Sequence, residues 1–262
     1  RQRLDGEAQK GVYPKDVILE VLGRIRADGA VYKAIDFTGS YVEKLNVAGR
    51  MTICNMAVEM GAKTAYMQPN ADVLNYVDKR AVRPYEVQFT DPDFQYEESY
   101  VFDVSKIEPN LACPSSVENV HPLSEVVANG PIKLNQGYIG SCTGGRVEDI
   151  AIAAKILKGR HIPEYTRLIV VPASNEVMQE CMKAGYIQDL MNAGATITTP
   201  GCGACLGAHE GILAPGEVCI TSTNRNFPGR MGSTEALMYL ASPATVAASM
   251  VNGCITDPRE FL

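Results

Sequence analysis

The chain has 262 residues, 46% hydrophobic and 21% charged, with a net charge of -6 at pH 7, which is enough length and apolar content for one large or two modest domains with a sizeable core. The acidic balance leaves no basic footprint for nucleic acid, and no apolar run approaches the roughly 20 residues that span a bilayer, so neither nucleic acid nor membrane is expected as a partner. Eight cysteines without a signal peptide or a short secreted framework read as unpaired thiols of a reducing compartment, the cytoplasm, rather than as disulfides.

The chain opens at Arg1 in a stretch without the character of a targeting segment, which suggests a processed, excised or incomplete polypeptide. A helix is expected to open at Pro14-Lys15-Asp16, followed by a strand at 30–37, a helix at about 48–60 and a short strand at 64–67. These elements make a small α/β unit. Residues 84–100 then turn acidic and aromatic, with Asp91, Asp93, Glu97 and Glu98, and read as an extended or hairpin segment; a Pro/Ser-rich connection follows at 109–116. Two domains are expected, a smaller α/β domain with the acidic segment and linker over 1–120 and a second over 121–262.

In the second half, apolar runs at 137–140, 168–171, 195–198 and 218–221 read as buried strands. Helical patterns lie between them at 146–157 and 175–184, the first carrying Glu148 and Asp149 in its opening turn, where acids favour the helix dipole. Strand then helix, repeated, predicts α/β architecture with mainly parallel sheets covered on both faces, in three α/β/α layers.

Three cysteines lie in glycine-rich loops just past predicted strands: Cys142 in Gly-Ser-Cys-Thr-Gly-Gly-Arg, and Cys202 with Cys205 in Pro-Gly-Cys-Gly-Ala-Cys-Leu-Gly. Parallel sheets gather ligand sites beyond the carboxyl ends of their strands, so residues 60 positions apart can share one site with the later loop Asn224-Arg225-Asn226-Phe227-Pro228-Gly229-Arg230. Three thiolates hold three corners of a cubane iron–sulfur cluster and leave one iron open, a Lewis acid suited to an oxygen-bearing substrate. The same residues fit other readings. A structural zinc site can be drawn from Cys142, Cys202, Cys205 and His209; a redox dithiol or a pair of buried apolar cysteines also fits C-x2-C. Cys54, Cys113, Cys181, Cys219 and Cys254 read as packing residues, and His121 and His161 as surface groups.

Four segments, taken together and in order, resemble the aconitase superfamily, in particular the large-subunit group of 3-isopropylmalate dehydratases: Ile-Cys-Asn-Met-Ala-Val-Glu-Met-Gly-Ala, Gly-Ser-Cys-Thr-Gly-Gly-Arg-Val-Glu-Asp, Pro-Gly-Cys-Gly-Ala-Cys-Leu-Gly and Thr-Ser-Thr-Asn-Arg-Asn-Phe-Pro-Gly-Arg-Met-Gly. The resemblance covers nearly the whole chain. It implies that Cys142, Cys202 and Cys205 ligate a [4Fe–4S] cluster in the second domain, that Arg225 and Arg230 bind substrate carboxylates, and that Asn224 lies beside the cluster. It further implies that Asn55 and Glu59 face the site, hydrogen-bonding the water or hydroxyl and assisting its protonation; four residues apart on one helix, they would share a face. His209 is a candidate for hydrogen-bonding support of the metal site, beside its plain reading as a surface group.

The implied activity is that of a hydro-lyase, dehydrating and rehydrating a hydroxy di- or tricarboxylate. For isopropylmalate this is a step of leucine biosynthesis; homoaconitase, aconitase, dimethylmalate dehydratase and a non-catalytic cluster-binding fragment are the alternatives. The implied partner is a small subunit carrying the swivelling domain, with its serine base and further arginines. The chain departs from the family twice. Gly144 stands where many members have Asn, and the further domain with which family large subunits begin has no equivalent in this sequence, so the chain is expected to be incomplete alone.

Overall fold

Apolar runs too short for helices pair into two sheets in the computed structural model, which describes residues Arg1–Leu262. The first sheet is wholly parallel, in the order β3-β2-β1-β4, from β1 (Gln2–Asp5), β2 (Ala34–Thr38), β3 (Thr64–Tyr66) and β4 (Tyr100–Asp103). Between its strands run α1 (Pro14–Ile25), α2 (Ser40–Lys44), α3 (Val47–Met56) and α4 (Ala71–Asp78). Helix α1 starts where Pro14 needs no backbone donor and where the Asp16 carboxylate accepts the Tyr13 N–H. Its apolar stripe of Ile18, Val21, Leu22 and Ile25 packs with Leu4, Phe37, Ile53 and Met56 into the core of this half.

Several elements differ from their expected bounds. Strand β1 was not anticipated, because its four residues include a single apolar one, Leu4. The strand expected at 30–37 begins only at Ala34, after a turn. The helix expected at 48–60 is two pieces, α3 and a tighter 3-10 helix at Ala57–Met60. The acidic segment makes no hairpin: residues 79–99 hold neither helix nor strand, α4 buries no residue, and Val82, Phe89 and Phe94 are exposed.

The second sheet runs β6-β5-β11-β10-β7-β8-β9. Its strands are β5 (Asn110–Ala112), β6 (Val120–Pro122), β7 (Gln136–Gly140), β8 (Arg167–Val171), β9 (Thr196–Ile197), β10 (Val218–Thr221) and β11 (Leu237–Leu240). All neighbours are parallel except β5, which runs against both β6 and β11. Strand β5 falls inside the stretch expected as a linker, where the fully buried Leu111 and Ala112 outweigh the surrounding Pro and Ser. The helices of this half are α5 (Leu123–Ala128), α6 (Ser141–Gly144), α7 (Val147–Leu157), α8 (Asn175–Lys183), α9 (Tyr186–Asn192) and α10 (Pro243–Asn252). None in the chain is long and apolar enough to cross a membrane.

Alternation along the strands divides the core in two. Ile139, Leu168, Val170 and Ile220 face α7, α9 and α10. Tyr138, Ile169, Val171, Cys219 and Met238 face the other way, onto Ala204, Cys205, Leu213 and Met231. The α/β class with mainly parallel sheets is as expected; around Tyr138 this second face is covered by the irregular segments 199–217 and 222–236, and toward β5 by α1, whose core takes in Ala112 and Leu240. The one regular piece of those segments is the 3-10 helix Gly203–Leu206. Neighbouring strands β7 and β10 lead onward in opposite directions, to β8 and to β11. The divergence opens a crevice beyond their carboxyl ends.

Candidate active site at the cysteine loops

Leaving β7, the chain turns at Ser141, whose φ of 66° lies in the left-handed region. The turn directs Cys142 into the crevice and leaves it exposed. Glycine is required behind it: a Cβ on Gly144 would lie 2.2 Å from the Ser222 hydroxyl oxygen, and one on Gly145 2.6 Å from the Val171 carbonyl. Ser222 clasps the turn by accepting the Gly140 N–H at 3.0 Å and donating to the Gly144 carbonyl at 3.3 Å.

The loop carrying Cys202 and Cys205 is fixed by two side chains. The Tyr138 hydroxyl donates to the Cys202 carbonyl at 2.8 Å, and Arg230 Nε donates to the Cys205 carbonyl at 2.6 Å. Cys202 is exposed and Cys205 is buried.

From β10 the chain passes through Thr221, Ser222 and Thr223, all fully buried, to Asn224 and Arg225. Asn226 anchors that loop from inside, its amide donating to the Ala112, Cys113, Ser116 and Met238 carbonyls. Asn224 Nδ2 donates to Asn55 Oδ1 at 2.7 Å and lies 3.9 Å from Cys142 Sγ, while the Cys142 thiol lies 3.7 Å from Asn55 Oδ1. Thr143 donates to Asn224 Oδ1, and Thr52 on α3 donates to the Thr143 carbonyl at 3.1 Å. Arg225 Nε is shared by both oxygens of Glu59, at 2.9 and 3.0 Å. Asn55 lies in the last turn of α3 and Glu59 on the 3-10 helix after it, so they are not one turn apart on a single α-helix; each nevertheless meets the same loop.

Both arginines use Nε to hold protein groups and make no other side-chain hydrogen bond. Their terminal nitrogens remain for a planar partner such as a carboxylate. The Arg230 guanidinium also lies over the Phe227 ring, 5.7 Å from its centroid. A groove of about 390 Å³ runs beside this constellation, lined by Asn55, Cys54, Lys63 and Arg146 among others.

All eight cysteines are free thiols. No group of three or more His, Cys, Asp or Glu side chains is gathered closely enough to hold a single metal ion. His209 is exposed, with Nδ1 3.6 Å from Glu210, so the four-residue zinc set is not assembled. In a cubane each thiolate binds its own iron, and three separated thiols on rigidly backed loops suit that donor set. The Ser141 hydroxyl, immediately before Cys142, is buried without a partner and leaves a hydrogen-bonding group unused in this loop.

Two residues here were missed in the sequence. Lys15 is 2% exposed; Nζ donates to the Thr223 carbonyl at 2.6 Å and lies 3.1 Å from Met56 Sδ. Burial pushes its ammonium down to about 8, against the opposing pull of Cys205, Glu59, Cys142 and Asp149. The signal was available: Lys15 stands on the apolar stripe with Ile18, Leu19 and Leu22. Arg146 donates to the Cys142 carbonyl at 3.1 Å and keeps a buried Nε without a partner. Its sole sequence cue is its place four residues after Cys142.

A sequence model described as Aconitase family (aconitate hydratase) matches residues 1–253. The chain is 48% identical over 260 residues to a probable methanogen homoaconitase large subunit of Methanothermobacter thermautotrophicus, covering 99% of this chain and 60% of that protein. It is 51% identical over 265 residues to 3-isopropylmalate dehydratase large subunit 1 of Methanopyrus kandleri, covering 100% of this chain and 62% of the relative. Against the 3-isopropylmalate dehydratase large subunit of Hydrogenobaculum sp. it is 47% identical over 255 residues, covering 97% and 59%. The chain thus spans about 60% of the length of these relatives. Matched by that family model over nearly its whole length, the chain belongs to the aconitase family.

Proposed function

We propose that the chain is the cluster-bearing part of the large subunit of an iron–sulfur hydro-lyase, of the 3-isopropylmalate dehydratase type, working in the cytoplasm with a small subunit. The observation that carries this reading is the pair of arginines whose Nε atoms are spent on Glu59 and on the Cys205 backbone while their terminal nitrogens stay free. Two such forks beside three free thiols suit a small polycarboxylate. Eight unpaired cysteines fit a reducing compartment.

In this reading Cys142, Cys202 and Cys205 hold a [4Fe–4S] cluster, which when bound supplies a Lewis-acidic iron with an open position for a substrate oxygen. Arg225 and Arg230 bind and orient the substrate's carboxylates. Glu59, aimed by Arg225, exchanges a proton with the oxygen that leaves as water. Asn55 and Asn224, bonded to each other, keep their amides against Cys142 and orient that oxygen. The base that removes the proton from carbon is supplied by the small subunit, whose pocket also reads the substrate's side group.

A homoaconitase is the second reading, favoured by a relative of that name at nearly the same identity. The deciding assay is hydration by the cluster-loaded chain assembled with a small subunit and the further large-subunit domain, offering the alkene intermediate of isopropylmalate isomerisation against homoaconitate. Turnover of the former is the expected result. Preference for the latter selects homoaconitase, and a loaded chain inactive on both contradicts the hydro-lyase reading and marks a cluster-binding module.

A further inference from the structure

Lys15 and Thr223 lie 208 positions apart in sequence, yet a single ammonium joins them at 2.6 Å inside the protein. Thr223 immediately precedes Asn224, and Met56, whose sulfur is the other group touching Nζ, immediately follows Asn55. Those two asparagines meet at 2.7 Å and both lie against the Cys142 sulfur. One buried side chain therefore braces both members of the pair at the thiol.

No carboxylate is within ion-pair distance of Lys15 Nζ; its protein partners are a neutral carbonyl and a thioether. The acidic side chains that influence it do so at longer range, Cys205, Glu59, Cys142 and Asp149. A buried cation without a paired anion is costly, and an apolar side chain of similar length is commonly as good or better for stability. What methionine could not supply is positive charge behind the thiols.

We propose that Lys15 is a positioning residue of the cysteine site, a buried counter-charge that fixes the Asn55–Asn224 pair and stabilises the negative charge carried by the cysteine-bound cluster. This role rests on the cluster-binding reading above. A fixed positive charge favours the more negative, reduced form of a cluster, so its loss lowers the reduction potential.

The test is anaerobic reconstitution of this chain as wild type, Lys15→Met and Lys15→Arg, followed by iron and acid-labile sulfide content, the cluster's midpoint potential, and thermal unfolding of the cluster-free protein. Lys15→Met is expected to unfold at the same or a higher temperature than wild type, yet to shift the cluster to a more negative potential and to lose iron faster. Lys15→Arg is expected to retain the wild-type potential. Should Lys15→Met fail to fold, Lys15→Gln removes the charge while keeping a hydrogen-bond donor, and the same negative shift is expected. Wild-type potential and iron retention in the uncharged variants would overturn the role. A wild-type chain that takes up no iron would instead contradict the cluster reading itself, and the role with it.

Discussion

Glu59 and Arg225 form an ion pair across 166 positions of sequence, with the arginine Nε 2.9 and 3.0 Å from the two carboxylate oxygens. The Glu59 side chain is 9% exposed and that of Arg225 38%, so the acid is the sheltered partner and the base the one that reaches into the crevice. Because the contact uses Nε, it sets the plane of the guanidinium without occupying its outer fork. The pair also joins the two halves of the chain at the mouth of the site.

Separate roles for the two follow. In the assembled enzyme, Glu59→Gln is expected to lower kcat by about 10²- to 10⁴-fold with little change in KM, the range for a lost proton-transfer group. Arg225→Lys is expected to raise KM, since an ammonium cannot reproduce the planar fork. Steady-state kinetics decide this; an unchanged kcat in Glu59→Gln removes Glu59 from proton transfer.

Asn224→Ala takes away the amide between Asn55 and Cys142 without touching a thiol. Groups that support metal ligands typically carry about 10- to 100-fold in affinity. The cluster of Asn224→Ala is therefore expected to bleach that much faster under a chelator, followed by visible absorbance. Bleaching at the wild-type rate would show that the asparagine pair does not support the cluster.

Gly144 has no room for a side chain: a Cβ there meets the Ser222 side chain at 2.2 and 2.5 Å and the Ser222 carbonyl at 2.8 Å. Gly144→Ala is expected to cost about 1–3 kcal/mol by overpacking and to disturb the Cys142 turn. Chemical denaturation of the cluster-free chain measures it, and a stability equal to wild type would mean that the turn relaxes freely.

Asp16 supplies a pH signature. Burial drives its carboxyl up to about 7 from 3.8, against the hydrogen bonds it accepts from the Asn110 and Tyr13 backbones. Between about pH 4 and pH 7 the folded protein then holds a proton that the unfolded chain releases, so this contribution to stability is present at low pH and is lost as pH rises through about 7. Wild type is expected to lose stability relative to Asp16→Asn over that window, by an amount on the order of a few kcal/mol. A difference between the two that stays constant with pH would contradict it.

The sequence disclosed the parallel strands of the second half because buried strands are short apolar runs, and β10 and β7 lie where those runs do. It concealed β5 under neighbouring Pro and Ser, and β1 because three of its four residues are polar. The irregular cover over the Tyr138 face was illegible for a different reason: a loop packed by Leu213 and Met231 has no period. At the site, glycine and cysteine motifs placed Cys142, Cys202, Cys205 and the 224–230 loop, since strand ends position them. Lys15 escaped because a lysine near a helix start reads as solvated until Thr223, from the far end of the chain, is seen to cover it.

Iron and acid-labile sulfide content after anaerobic reconstitution, with a visible spectrum and a Cys202→Ser control, tests the open-iron site most directly. About four irons and four sulfides per chain, with broad visible absorbance lost in Cys202→Ser, is the expected result. A colourless wild-type chain without sulfide, or a control that loads as fully as wild type, would contradict it.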